Sequence, residues 1–133
     1  PDDDSKYHFA LTRFTTDGLL DTSFNSDGTL VQNFTTEAAF FVDMIAIQTD
    51  GRVIVGGDHP IFPNYRLGMA RWTSTGTLDT SFGTNGLAHT SILTAMIVPQ
   101  GNLALTAEHI YRSGRHSPNP GSNSSFAIAR FWQ

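Results

Sequence analysis

Cysteine is absent from the 133-residue chain. A disulfide framework, a Cys-based zinc site and a thiol nucleophile are thereby excluded. Positive charge is scarce as well. Lys and Arg number 8 against 12 Asp and Glu, for a net charge of −4, and the basic residues are scattered. Nucleic acid binding needs a basic patch or stripe, so it is not expected. No apolar run approaches the ~20 residues of a membrane helix, and no membrane span is expected. Charged residues make up only 15% of the chain, below the usual ~25%. Thr, Ser, Asn and Gly fill the gap. That polar but weakly charged composition points to an extracellular or cell-surface protein. The nucleophile-elbow, Walker-loop and His-Glu metalloprotease patterns are missing, and the five histidines show no triad spacing. No catalytic residue is therefore nominated. No signal peptide starts at Pro1, and Pro1-Asp2-Asp3-Asp4-Ser5 reads like a processed or cut end.

What the chain does have is repetition. Leu20-Asp21-Thr22-Ser23-Phe24 returns 58 residues later as Leu78-Asp79-Thr80-Ser81-Phe82. At the same offset Phe9-Ala10-Leu11-Thr12-Arg13-Phe14 becomes Leu67-Gly68-Met69-Ala70-Arg71-Trp72, and Gly18 and Gly28 become Gly76 and Gly86. A third partial copy, Phe126 to Phe131, begins 59 residues after Leu67. A period of this size marks a repeat architecture.

Strand and turn signals fill each period. Met44 to Gln48 and Arg52 to Gly57 flank Asp50-Gly51, a strong hairpin signal. Met96 to Leu105, around Gln100-Gly101, reads as its counterpart at an offset of 50. On that alignment, strand b of the third unit ends near Ala107, and changes in loop length restore the longer period. The strands carry apolar residues on both faces, as Val53-Ile54-Val55 does, so both faces require cover. A four-stranded antiparallel sheet in each period, covered on both sides, describes a β-propeller blade. The expected fold is all-β, an incomplete propeller of about two blades plus a partial third. With strands lettered a to d, residues 9–32 supply c and d of a first blade. Residues 42–91 form the second blade and residues 92–133 part of a third, within a single repeat region spanning 1–133.

Two stretches carry a resemblance. One is Ala70-Arg71-Trp72, Gly76-Thr77-Leu78-Asp79-Thr80-Ser81-Phe82-Gly83 and Asn85-Gly86; the other is Gln48-Thr49-Asp50-Gly51-Arg52-Val53-Ile54-Val55-Gly56-Gly57. In these the chain resembles the bacterial delta-60 repeat β-propellers. Asn25 stands where the pattern has Gly, and Gln100 where it has Asp. The resemblance implies several blades in a large secreted or surface-attached bacterial protein, and no common reaction.

The candidate site residues fall into three groups. Arg13 with Asp21, and Arg71 with Asp79, read as a structural ion pair repeated in each blade rather than a ligand site. Asp58-His59 and Glu108-His109 hold matching places under the offset of 50. Carboxylate and imidazole together suit zinc-like ions, weighed against solvated loop residues with no third ligand fixed by spacing. Trp72 and Trp132 are the candidates for stacking a sugar, against the competing reading of core packing. No cofactor is expected, a metal at the two acid–His pairs being the lesser reading. The expected function is a non-enzymatic scaffold, assembly or protein-binding unit. Its open blade edges would meet other copies or the rest of a longer parent chain. The alternative is a glycan- or other ligand-binding propeller using the b–c loops, and a propeller hydrolase ranks third.

Overall fold

Val53-Ile54-Val55 cannot lie in a sheet that is wetted on one side, because neighbouring side chains point to opposite faces. All three are buried, at 4%, 0% and 4% exposure. The computed structural model describes residues 9–32, 41–61, 64–94, 102–116 and 125–132. Among them are nine strands and no helix: β1 (Phe9–Thr12), β2 (Thr29–Gln32), β3 (Phe41–Ile47), β4 (Val53–Ile61), β5 (Asn64–Trp72), β6 (Leu87–Thr94), β7 (Leu103–Leu105), β8 (His109–His116) and β9 (Ser125–Trp132).

The strands form three antiparallel sheets in chain order: β1-β2, β3-β4-β5-β6 and β7-β8-β9. The middle sheet is a complete four-stranded blade. The outer two are partial, so the described strands make up the incomplete propeller that the repeats imply.

Each blade has a front face toward the preceding blade and a back face toward the following one. On the front of the second blade, Val53, Val55, Ala70, Trp72 and Leu87 pack against Phe9, Leu11, Phe24 and Leu30 of the first. On its back, Ile54, Met69, Phe82 and Ala88 meet Leu103, Leu105, Ile110 and Phe131 of the third. Trp72 is fully buried at the first junction and stacks on Phe9, with centroids 4.8 Å apart and planes at 18°. It offers no platform to a sugar. Its ring is consumed by the contact between blades, and the reading of Trp72 as a stacking site is corrected accordingly. The side chain of Trp132 lies outside the described residues.

The third blade corrects the hairpin alignment. Leu103–Leu105 is a first strand, not a second, and pairs with β8 as Leu103↔Arg112 and Leu105↔Ile110. Ile110 pairs with Phe131 as Val53 pairs with Trp72. The turn between β7 and β8 is closed by Thr106, whose N donates to His109 O (2.9 Å) and whose Oγ1 accepts from His109 N (3.0 Å). A hydroxyl turn of this kind does the work that Asp50-Gly51 does in the second blade. One spacing near 58 therefore serves all strands, and no compensating insertions are needed. Residues 96–101 lie outside the described residues.

Cover is uneven. Ile45 and Ile47 on β3 are 56% and 65% exposed, although their partners Val55 and Val53 are buried. Phe14, the counterpart of Trp72, is 60% exposed. No described residue covers it.

Burial at one repeat position and exposure at the other gives a direct test. Trp72→Ala should destabilise the protein by about 3–5 kcal/mol, and Phe14→Ala by at most ~0.5 kcal/mol. Urea unfolding measures both. Equal costs would contradict the junction as described.

Candidate functional site: the clamps, the buried arginine and a cleft

Asp79 is placed by a short turn. Its N donates to Arg71 O (2.9 Å), Phe82 N to Asp79 O (3.0 Å) and Gly86 N to Phe82 O (3.0 Å). This brings the carboxylate beside Arg71, whose Nε donates to Oδ2 at 2.9 Å. Arg52 Nε approaches the same oxygen at 3.2 Å. The other oxygen, Oδ1, accepts from Ser81 N (3.2 Å) and Ser81 Oγ (2.6 Å). The guanidinium lies 4.6 Å over the Phe82 ring. The first blade repeats the device. Arg13 Nε is 2.8 Å from Asp21 Oδ2, Ser23 Oγ donates to Asp21 Oδ1 at 2.6 Å, and Arg13 sits 4.8 Å over Phe24. The Leu-Asp-Thr-Ser-Phe motif is thus a clamp that ties the strand ending in Arg to the turn that follows it. Only the second copy is well buried, with 7% and 9% side-chain exposure against 28% and 27%.

Burial raises the Asp79 carboxyl, but the Ser81 and Arg71 hydrogen bonds and the Arg71 charge outweigh it and leave the group below its ordinary value. Hydrogen bonds from Ser23 and the Arg13 partnership likewise hold Asp21 low, against a smaller opposing effect of desolvation. A depressed carboxyl stabilises the fold above its unfolded pKa, and that contribution is lost as pH falls through the folded value.

The second cluster breaks the repeat symmetry. Arg112 of β8 is 1% exposed and points across the junction into the second blade. Its Nη2 donates to Asp43 Oδ1 and Oδ2 (3.3 and 3.1 Å) and to Asp58 Oδ1 (3.1 Å). Asp43 is the extra residue of a β-bulge, where the β3–β4 register shifts between Val42 and Met44. Gly56 is held bare by Met44, since a Cβ there would come within 2.7 Å of Met44 Cγ, while Arg112 Nε at 3.4 Å would be in ordinary contact. Arg112 Nε and Nη1 are buried without a hydrogen-bond partner among the described residues. Burial raises the Asp43 carboxyl above its ordinary value; the Arg112 charge opposes the rise and the Asp58 charge adds to it.

Of the metal candidates, Asp58, Glu108 and His109 are not brought together. Asp58 is committed to Arg112 inside the junction. Glu108 is exposed in the turn closed by Thr106, and His109 opens β8 with its ring 5.9 Å from Tyr111. The side chain of His59 lies outside the described residues. Asp58 pairs with Leu67 in the ladder, whereas Arg115 pairs with Phe126, so Arg115 and not Glu108 holds the place of Asp58. The matching places assigned from the offset of 50 are therefore withdrawn. Among the described residues no three His, Asp or Glu gather into a metal site. Asp43 was missed on sequence grounds, though a lone acid inside Phe41-Val42-Asp43-Met44-Ile45 was a readable signal. The misplaced hairpin, which ends strand b near Ala107, leaves Arg112 in the loop before the next strand, whereas it lies within β8.

The third feature is a cleft of about 360 Å³ lined by Arg71, Ser81, Phe82, Gly83, Ala88, Arg130 and Phe131. The same surface of the first blade is filled. There, the Thr73–Thr77 turn seats on the clamp: Arg13 Nη1 donates to Ser74 O (2.6 Å) and Asn25 N to Thr75 O (2.8 Å). Gly76 fits because a Cβ would come within 2.9 Å of Asn25 N and 3.2 Å of the Phe24 ring.

Three sheets that stack face to face, each with the same clamp or its remnant, define a β-propeller repeat protein. Residues 2–24 and 48–82 match the family described as "Domain of unknown function (DUF5122) beta-propeller". Both matched segments stop at the clamp phenylalanine, Phe24 or Phe82. No curated protein and no solved structure is matched.

Two outcomes test these ion pairs. Asp79→Ala should cost about 3 kcal/mol, the lower end for a broken buried pair, because Phe82 still covers the guanidinium. Arg112→Met should cost about 3–5 kcal/mol at pH 7, since it leaves two buried carboxylates facing each other. The sign of its pH dependence follows from Asp43. A raised carboxyl stabilises the fold below its unfolded value, near 3.8, and loses that contribution as pH rises through the folded value. The Arg112→Met deficit should therefore shrink as pH falls from 7 toward 4 in melting experiments. A deficit independent of pH would refute the triad.

Proposed function

We propose that this chain is a non-enzymatic β-propeller module, extracellular or on a cell surface, that works by binding polypeptide as a scaffold or assembly unit. The observation that carries the reading is the cleft at Arg71 and Gly83. Its counterpart in the first blade already holds a polypeptide turn, gripped by one arginine and one backbone N–H acting on two successive carbonyls. In the cleft the corresponding donors are the Arg71 guanidinium and the Gly83 N–H, and the Phe82 and Phe131 rings supply the apolar wall. Such a surface favours a turn with glycine at positive φ, as Gly76 has at 89°. The weakly charged composition and the delta-60 resemblance support a secreted or surface-attached setting.

The test uses an octapeptide with the sequence of Arg71–Leu78 as probe. Added to the whole chain, it should shift the NMR signals of the Gly83 amide and the Arg71 side chain. A version with Val in place of its glycine should bind at least tenfold more weakly, because a Cβ at that place meets backbone. Silence of both signals at millimolar peptide would sink the reading.

A further inference from the structure

The repeat register makes the exposed faces of the two outer sheets comparable, position by position, with faces that are already packed inside the chain. On the front of the second blade Trp72 is 0% and Ala70 3% exposed. Their counterparts on the front of the first blade are Phe14, at 60%, and Thr12, also exposed. On the back of the second blade Ile54 and Met69 are both 0% exposed, and Arg71 is 6%. Their counterparts on the back of the third blade are Tyr111, half-buried, Ile128, at 58%, and Arg130, exposed. Among the described residues there is thus one uncovered front and one uncovered back. Each has the strand register of a face that is buried elsewhere in the same molecule, with a large aromatic or aliphatic side chain kept at Phe14 and Ile128.

We infer that these two faces bind each other between copies: the front of the first blade in one copy seats on the back of the third blade in a second copy, with Phe14 packed against Ile128 and Tyr111. This inference rests on the reading of the chain as an assembly unit and names its partner as a second copy. The junctions inside the chain supply the template. A large aromatic from the end of the Arg-aromatic strand, Trp72 or Phe131, lies against apolar side chains of the blade before it. Phe14 is the third member of that series and has no such neighbour among the described residues. The contact is heterologous, front to back, so it propagates into a ring or a filament rather than stopping at a symmetric dimer. It also differs from strand addition. No ladder hydrogen bond forms between copies, and β9 keeps its place beside β8.

Heterologous faces predict a particular pattern of complementation. The wild-type chain should show a mass in sedimentation that grows with concentration. Phe14→Asp and Ile128→Asp should each sediment as folded monomers and melt like the wild type diluted until it no longer assembles, since both side chains are exposed within one copy and association stabilises only the assembled form. Mixed in equal amounts they should form a dimer and nothing larger, because the intact front of one meets the intact back of the other. A variant that had merely failed to fold could not complement, so the mixture also controls for folding. Ile47→Asp, on an exposed face outside this contact, should assemble like the wild type. A monomeric wild type overturns the inference, as do single variants that still assemble, a mixture that stays monomeric, or assembly lost only in Ile47→Asp. None of these results alters the peptide titration at Arg71 and Gly83, so the two readings fail separately.

Discussion

A sheet apolar on both faces has to be sandwiched, and everything else in this molecule follows from that constraint. A lone hairpin could hide Val53 and Val55 or Ile54, but not all three. Stacking sheets face to face solves the problem once per blade and recreates it at each outer face. Burial of Trp72 on Phe9 and of Phe82 on Phe131 is therefore a relation between consecutive repeats, as in other stacked-repeat proteins. The exposure of Phe14 and Ile128 is the same relation left open.

The clamp works at a smaller scale and in the same service. Apolar packing between sheets is non-directional, so it fixes no angle between a strand and the turn that leaves it. Arg71 and Asp79 fix that angle with oriented hydrogen bonds, and Ser81 takes up the remaining carboxylate oxygen. The turn is held in a shape that offers Phe82 to one neighbour and its backbone to another. Gly83 and Gly86 are required here in different ways. A Cβ on Gly83 would meet Leu87 O at 2.1 Å, and one on Gly86 would meet the Leu78 side chain at 2.7 Å. The first copy manages the corresponding bend with Asn25 and Ser26, at φ 49° and 64°. Asn visits the left-handed region more readily than most residues, which is how that copy dispenses with a glycine.

How much of this was legible from sequence depends on whether the signal was local. The Arg-aromatic strands, the Asp-Gly hairpin and the Leu-Asp-Thr-Ser-Phe clamp each carry their chemistry within a few residues, and each is readable. The third blade was misread because Gln100-Gly101 resembles the hairpin of the second blade more than Thr106-Ala107-Glu108 does. A side-chain hydroxyl can close a turn without any glycine, so composition pointed to the wrong one. The consequences spread: Leu103–Leu105 was given to the wrong strand, Arg112 to a loop, and Glu108-His109 to the place of Asp58-His59. Trp72 was ambiguous for a different reason. An aromatic ring suits a core and a sugar equally well, and only the partner, Phe9 on another blade, decides.

Arg112 shows what the departure from exact repetition accomplishes. Its place in the second blade belongs to Val55, which is content against the apolar back of the first blade. An arginine buried against Leu11 and Leu30 would have no counter-charge, and leaving a buried charge unpaired costs several kcal/mol. Against the back of the second blade it meets Asp43, the extra residue of the β3 bulge, and Asp58. The front of the third blade is therefore matched to one face only. Apolar repeats that could stack in any order gain an order from one charged residue, at the cost of two guanidinium nitrogens left without partners among the described residues. The back of the third blade carries no such acid among its described residues, so the third blade's front, with Arg112, is a poor fit to it. Phe14 and Thr12, uncharged, are the front that suits it.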